Sequence, residues 1–152
     1  RRAARYGGAI PYRKGAGQRR VQLDAALLMD LCWNADTRPM VNQIERHPYF
    51  QRKEELRASW PRPGVQPEAW APFAEDMHGM FTDPVLTAVA CKHGKSVAQV
   101  ILRWDIQRGV AVIPKSIHRE RRAENLDVWD FMLDPAAPAK CVGYMTTCAI
   151  RC

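Results

Sequence analysis

The amino-acid sequence predicts an α/β fold made of parallel strand–helix units. Short apolar runs of strand character, at 40–44, 65–71 and 110–113, alternate with stretches of helical period. Polar and aromatic residues gather at the ends of those runs, at Asn42-Gln43, Trp70 and Lys115-Ser116. In a barrel or an open sheet alike, that is the end where ligands bind. With 152 residues, 47% of them hydrophobic, the chain has enough material for one domain with a real core.

The elements follow in order. Residues 1–21 show neither a helical nor a strand period and are read as an irregular basic tail. Asp24 can cap a helix whose Leu27, Leu28, Leu31 and Cys32 share one face and which ends near Asn34. After Pro39 comes the first strand, 40–44, and then a charged helical stretch at 51–57, stopped by the prolines and glycine of 59–64. The second strand, 65–71, ends at Pro72. Asp83-Pro84 is a helix start, an N-cap with proline in the first turn, and Gly94 suits the helix end. Ser96 and Gln99 make a capping box for a helix with Val97, Val100, Ile101 and Trp104 on one face, closing at Gly109. The third strand, 110–113, follows at once. From Pro135 the prolines and the cysteine-rich end show no amphipathic pattern, and 134–152 is read as a second irregular tail.

Charge and cysteine usage narrow the function classes. The net charge is +7, and much of the surplus comes from the first twenty residues. A basic arm for nucleic acid is one reading of that segment; a disordered or non-native tail is the preferred one. Five cysteines without a CxxC pair or framework spacing argue for reduced thiols and against a metal site. No run is long enough to span a membrane and no leader pattern opens the chain, so the expected setting is cytoplasmic. The most informative stretch is 110–125. There a buried strand delivers Lys115 and Ser116 to its carboxyl end, followed by Arg119, Arg121 and Arg122 with Glu124 and Asn125. Guanidinium forks, a lysine charge and a hydroxyl make an anion site, the alternative being a solvated basic loop.

Four segments carry a resemblance: VNQIERHPYFQ from Val41, EAWAPF from Glu68, DPVLTAVACKHGKSVAQVILRW from Asp83 and GVAVIPKSIHRERRAENLDVWDF from Gly109. In this order and spacing they resemble the aldo-keto reductases, closest to prokaryotic members of the 2,5-diketo-D-gluconic acid reductase type. The resemblance covers about 22–133. It implies a (β/α)8 TIM barrel of which this chain holds the C-terminal part, the last three strands and their helices. It also implies NADP(H) as cofactor and reduction of small aldehydes and ketones. Carried over residue by residue, Gln43 would meet the nicotinamide carboxamide, whose donor and acceptor an amide can match, and Trp70 would stack on the nicotinamide ring. Lys115, Ser116 and Arg121 would hold the adenosine 2′-phosphate, favouring NADP over NAD, with Glu124 and Asn125 at the adenine. His118, Arg119 and Arg122 are read as solvated neighbours, and His47 as structural.

The family's Asp, Tyr, Lys, His tetrad belongs to the other half of the barrel. None of Tyr6, Tyr12, Tyr49 or Tyr144 matches its proton donor, so no catalytic residue is assigned. Residues 1–21, the stretch near 58–63 and the segment after 138 leave the pattern as whole blocks, as shifted reading frames would. Three parallel strands cannot close a barrel. The expectation is therefore a cofactor-binding fragment, inactive alone, whose edges are covered by self-association or by a complementary N-terminal half. The alternatives are a non-catalytic nucleotide or polyanion-binding module, and a truncated product without function.

Overall fold

A computed structural model describes residues 20–21, 23–59 and 64–133. Its centre is a parallel sheet in the order β1-β2-β3-β4, with β1 at Arg20–Val21, β2 at Val41–Glu45, β3 at Gln66–Trp70 and β4 at Ala111–Val112. Helices α1 (Ala25–Asn34), α2 (Lys53–Ser59), α3 (Pro84–His93), α4 (Val97–Ile106) and α5 (Arg119–Leu126) make the connections, with 3₁₀ turns at Ala74–Thr82 before α3. The α/β class and the parallel sheet follow the sequence pattern. The sheet is one strand wider than expected, because Arg20 and Val21 pair with Val41 and Asn42. A two-residue strand has no period to read, so the segment assigned to an irregular tail hid it. The rest of that tail, and the whole of 134–152, lie outside the described residues.

Register decides what the sheet presents. Gln43 aligns with Glu68 and Glu68 with Ala111, while Ile44 aligns with Ala69 and Ala69 with Val112. Parallel neighbours in register share a face. One face therefore takes Ile44 and Ala69, both fully buried. The opposite face takes Gln43 and Glu45 from β2, Glu68 and Trp70 from β3, and Ala111 from β4. Pro67 is tolerated inside β3 because its missing N–H falls where β4 does not reach, β4 pairing only with Glu68 and Ala69. The Gln66 amide closes that gap by donating to the Gly109 carbonyl at 2.7 Å.

The helix ends obey their caps. The Asp24 carboxylate accepts from the Leu27 N–H at 2.8 Å, and Asp83 accepts from Val85 and Leu86 at 2.9 and 3.0 Å. The second Asp83 oxygen accepts from the Tyr49 hydroxyl at 2.9 Å, so the loop after β2 is tied to the start of α3. Gly94 ends α3 at φ +62, a left-handed position that favours glycine. The main core joins Leu86, Val89 and Ala90 of α3 to Val97, Val100, Ile101 and Trp104 of α4, with Met80 and Leu133. A second cluster packs Leu28 and Cys32 of α1 on Val65. No helix among the described residues is long and apolar enough to cross a membrane.

Candidate functional site

The segment expected to hold an anion begins where β4 stops. Pro114 ends the strand, and residues 113–118 turn the chain into α5. The turn is held locally, with Ser116 Oγ accepting from the His118 N–H at 3.2 Å. Lys115 and Arg121 are exposed, while Ser116, Glu124 and Asn125 are half-buried. Among the described residues, Lys115, Arg119, Arg121 and Arg122 make no ion pair, although Glu120 and Glu124 lie on the same helix. Their charge is uncompensated at the amino-terminal part of α5, where the helix dipole also favours an anion. His118, at the N-cap, makes no side-chain capping bond.

Helix α5 buries none of its side chains. What ties it to the domain is a set of polar bonds at its carboxyl end. The Gln99 Nε2 group donates to the Asp127 carbonyl at 2.7 Å, to the Glu124 carbonyl at 3.3 Å and to Asp127 Oδ2 at 3.2 Å. Lys95 Nζ reaches Asp127 at 3.0 Å and Asp130 at 2.8 Å. These bonds to Asp130 and Asp127 hold the Lys95 ammonium above its ordinary pKa, and Lys95 in turn holds the Asp130 carboxyl below its own. Beyond α5, Val128 is buried, and Gln107 brackets the Leu133 backbone with two bonds, at 3.0 and 2.8 Å.

The other predicted residues stand at the carboxyl ends of β2 and β3. Gln43 and Trp70 share the sheet face opposite Ile44 and Ala69, on adjacent strands, Trp70 one step closer to the strand ends. Both are half-buried, and neither side chain has a hydrogen-bond or ring partner among the described residues. Asn42 points the other way; it is fully buried and exchanges bonds of 3.0 and 3.1 Å with the Leu23 backbone at the entry to α1. His47 is buried with its ring edge-on to Tyr49 and tilted against Phe50.

One feature under these strand ends escaped the sequence reading. Arg46 follows β2, is 1% exposed and pairs with the fully buried Asp105 of α4 at 2.6 Å. Its guanidinium also donates to the Gln51 carbonyl and lies 4.3 Å from the Trp104 ring centroid, whose other cationic neighbour is Arg108 at 4.8 Å. Burial dominates this cluster. It pushes Asp105 up to about 6 against the pull of Arg46 and Arg108, and it lowers the pKa of both arginines. Asp105 Oδ2 has no hydrogen-bond partner among the described residues. The signal was an arginine directly after a strand and an aspartate inside an apolar helical stripe, both of which read in isolation as surface charges. No group of three His, Cys, Asp or Glu able to hold a metal occurs among the described residues.

Comparison with known proteins gives the setting for this geometry. A family model described as "Aldo/keto reductase family" matches residues 24–143. A glyoxal reductase of Bacillus subtilis is 52% identical over 107 residues, 70% of this chain and 37% of that protein. An aldo/keto reductase structure from Brucella melitensis superposes with a TM-score of 0.68 at 40% identity, covering 80% of this chain and 46% of the other. A Bombyx mori aldo-keto reductase solved in complex with NADP superposes with a TM-score of 0.70 at 31% identity, over 84% of this chain and 42% of its own. The chain spans well under half the length of the curated relatives it matches, 37% in the Bacillus case.

Proposed function

The chain belongs to the aldo/keto reductase family, and we propose that it forms the cofactor-gripping part of an NADPH-dependent reductase of aldehydes and ketones. In this reading Lys115, Ser116 and Arg121 hold the adenosine 2′-phosphate, and Glu124 and Asn125 meet the adenine. Gln43 bonds the nicotinamide carboxamide and Trp70 stacks on its ring. The observation that carries it is the uncommitted charge of Lys115 and Arg121, which have no acidic partner among the described residues. Cations held beside a helix start with no internal counter-ion suit a dianionic phosphate. The partnerless amide of Gln43 and the half-buried ring of Trp70, with no ring partner among the described residues, supply matching groups for the other end of the cofactor.

When bound, NADPH supplies the hydride. This chain's residues bind and orient: the 2′-phosphate contacts select the phosphorylated cofactor, and the strand-end pair aligns the ring. We assign no proton donor here and expect this chain alone to bind without turnover. The strands that close the barrel, and the acid that protonates the carbonyl, are expected from a complementary N-terminal half, with self-association as the competing arrangement. A cytoplasmic setting goes with this reading, supported by Cys32 and Cys91 being free thiols.

Fluorescence titration with NADPH and NADH at several salt concentrations tests the proposal. Saturable binding with a clear preference for NADPH is expected. Equal, weak and steeply salt-dependent binding of both would favour a general polyanion site instead. Oxidation of NADPH with glyoxal above a protein-free control would overturn the expectation that the chain alone is inactive.

A further inference from the structure

We propose that Gln99, assisted by Lys95, is a positioning residue for the cofactor: from α4 it sets the place of α5 and therefore of Arg121, Glu124 and Asn125. The proposal rests on the reading of α5 as the adenosine end of the site.

Packing does little to hold α5. A helix with no fully buried side chain has little hydrophobic area to fix its position, so directional bonds carry most of that task. They converge on its last turn from one short stretch of chain, the junction of α3 and α4. Gln99 is suited to this by a division of labour within one amide. Its Oε1 accepts from the Ser96 N–H at 3.0 Å, completing the capping box, while the Ser96 hydroxyl accepts from the Gln99 N–H at 3.2 Å. That bond fixes which way the amide faces, because only its oxygen can accept. The Nε2 group is thereby turned to the Glu124 and Asp127 carbonyls and the Asp127 carboxylate. The side chain is nearly buried, at 6% exposure, so water competes little for these bonds. Lys95 clamps the same end through Asp127 and Asp130. The bond to the Glu124 carbonyl is one covalent step from Asn125, so a shift at Gln99 is passed directly to the adenine-facing residues. Neither Gln99 nor Lys95 is itself assigned a contact with the cofactor.

The two roles of Gln99 can be separated. Gln99→Glu keeps an oxygen for the capping box, which glutamate serves as well as glutamine. It removes both donor hydrogens and sets a carboxylate against two carbonyls and Asp127. In the full chain, Q99E is expected to keep a cooperative melt, to speed amide hydrogen exchange in α5 but not in α3 or α4, and to weaken NADPH binding about tenfold. NADH, which lacks the 2′-phosphate, is expected to lose less, so the NADPH preference narrows. Lys95→Met, which leaves the capping box whole, is expected to act in the same direction with a smaller effect; if Q99E does not fold, K95M decides. Absence of saturable NADPH binding in the unmodified chain would defeat the functional reading itself. Normal binding there, together with unchanged NADPH affinity and α5 exchange in the variants, would defeat only the positioning role. An equal loss for both cofactors with faster exchange throughout α3 and α4 would also overturn it, marking the residues as structural.

Discussion

Helices α4 and α5 stand side by side and are built on opposite principles. In α4, seven of ten residues are buried, among them Val100, Ile101, Leu102 and Trp104. In α5, none of eight is. The first is held by area: each apolar side chain removed from water contributes on the order of 1.5–3 kcal/mol, and neighbours share the load. The second is held by a few bonds from the α3–α4 junction to its last turn. Three of the residues proposed to bind the cofactor, Arg121, Glu124 and Asn125, lie on the helix that buries nothing. Arg121 is exposed and has no acidic partner among the described residues, so in the proposed reading the cost of ordering it would fall on binding rather than on folding. If α5 holds the cofactor as proposed, stability and affinity should be separable in this chain, and four experiments can break or sharpen that contrast.

The largest effect is expected where α4 is held by charge as well as by area. Arg46→Met removes the partner of the buried Asp105, leaves the Gln51 carbonyl without its donor and strips a cation from the Trp104 face. Breaking one side of such a pair costs about 3–5 kcal/mol, read as a lowered denaturant midpoint. Combining it with Asp105→Leu should recover much of that loss, because the uncompensated carboxyl disappears. A single variant as stable as the parent would mean that the pair contributes nothing and that area alone holds α4.

The same pair carries a pH signature. The Asp105 carboxyl is pushed from its ordinary 3.8 up to about 6, chiefly by burial. Between those values the folded chain keeps a proton that the unfolded chain has released, so the Asp105 contribution to stability falls as pH rises through that window and levels off above it. Urea midpoints measured from pH 4 to pH 7 should show this falling term in the parent and lose it in Asp105→Asn. Arg46 and Arg108, the charged groups facing Asp105, stay protonated throughout and cannot supply the slope.

How much of this was legible follows from the same contrast. Period and caps exposed α1, α3 and α4, because Asp24, Asp83 and Ser96 announce their helices locally and each makes the bond its residue type suggests. Gln43 and Trp70 were readable as strand-end residues, but their shared face depends on the β2–β3 register, which no linear pattern gives. Arg20–Val21 was not, because two residues have no period, and the 3₁₀ turns at Ala74–Thr82 carry no apolar repeat. The Arg46–Asp105 pair spans 59 positions, and nothing in a linear pattern couples charges so far apart. Gln99 was half-read: its capping oxygen is a local signal, but its bonds to Glu124 and Asp127 depend on the fold. Local bonds can be read from sequence; bonds that join elements cannot.

A smaller stability effect, about 1 kcal/mol, is expected for Ser96→Ala, which deletes the hydroxyl that accepts from the Gln99 N–H. The Ser96 N–H remains, so the Gln99 oxygen keeps its anchor and α5 should keep its place. NADPH affinity is then expected to hold while the melt drops slightly, the reverse of Q99E. Loss of affinity in Ser96→Ala would show that the whole α4 cap, and not the amide of Gln99, governs the site.

Arg121→Ala should show the least change in stability and so the sharpest form of the contrast. The side chain is exposed, has no partner among the described residues and belongs to a helix without buried residues. Removing it is expected to shift unfolding by no more than about 0.5 kcal/mol. Binding should respond quite differently. A charge-assisted contact to a phosphate contributes about 1.5–3 kcal/mol, so NADPH affinity should fall by roughly ten- to a hundredfold. NADH offers no 2′-phosphate for Arg121 to lose, and its affinity should stay near the parent value. Measuring both cofactors on the same protein removes any general damage from the comparison. If both fall together, Arg121 acts through the helix rather than on the phosphate, and the division between a helix that holds the fold and one that holds the ligand would have to be redrawn.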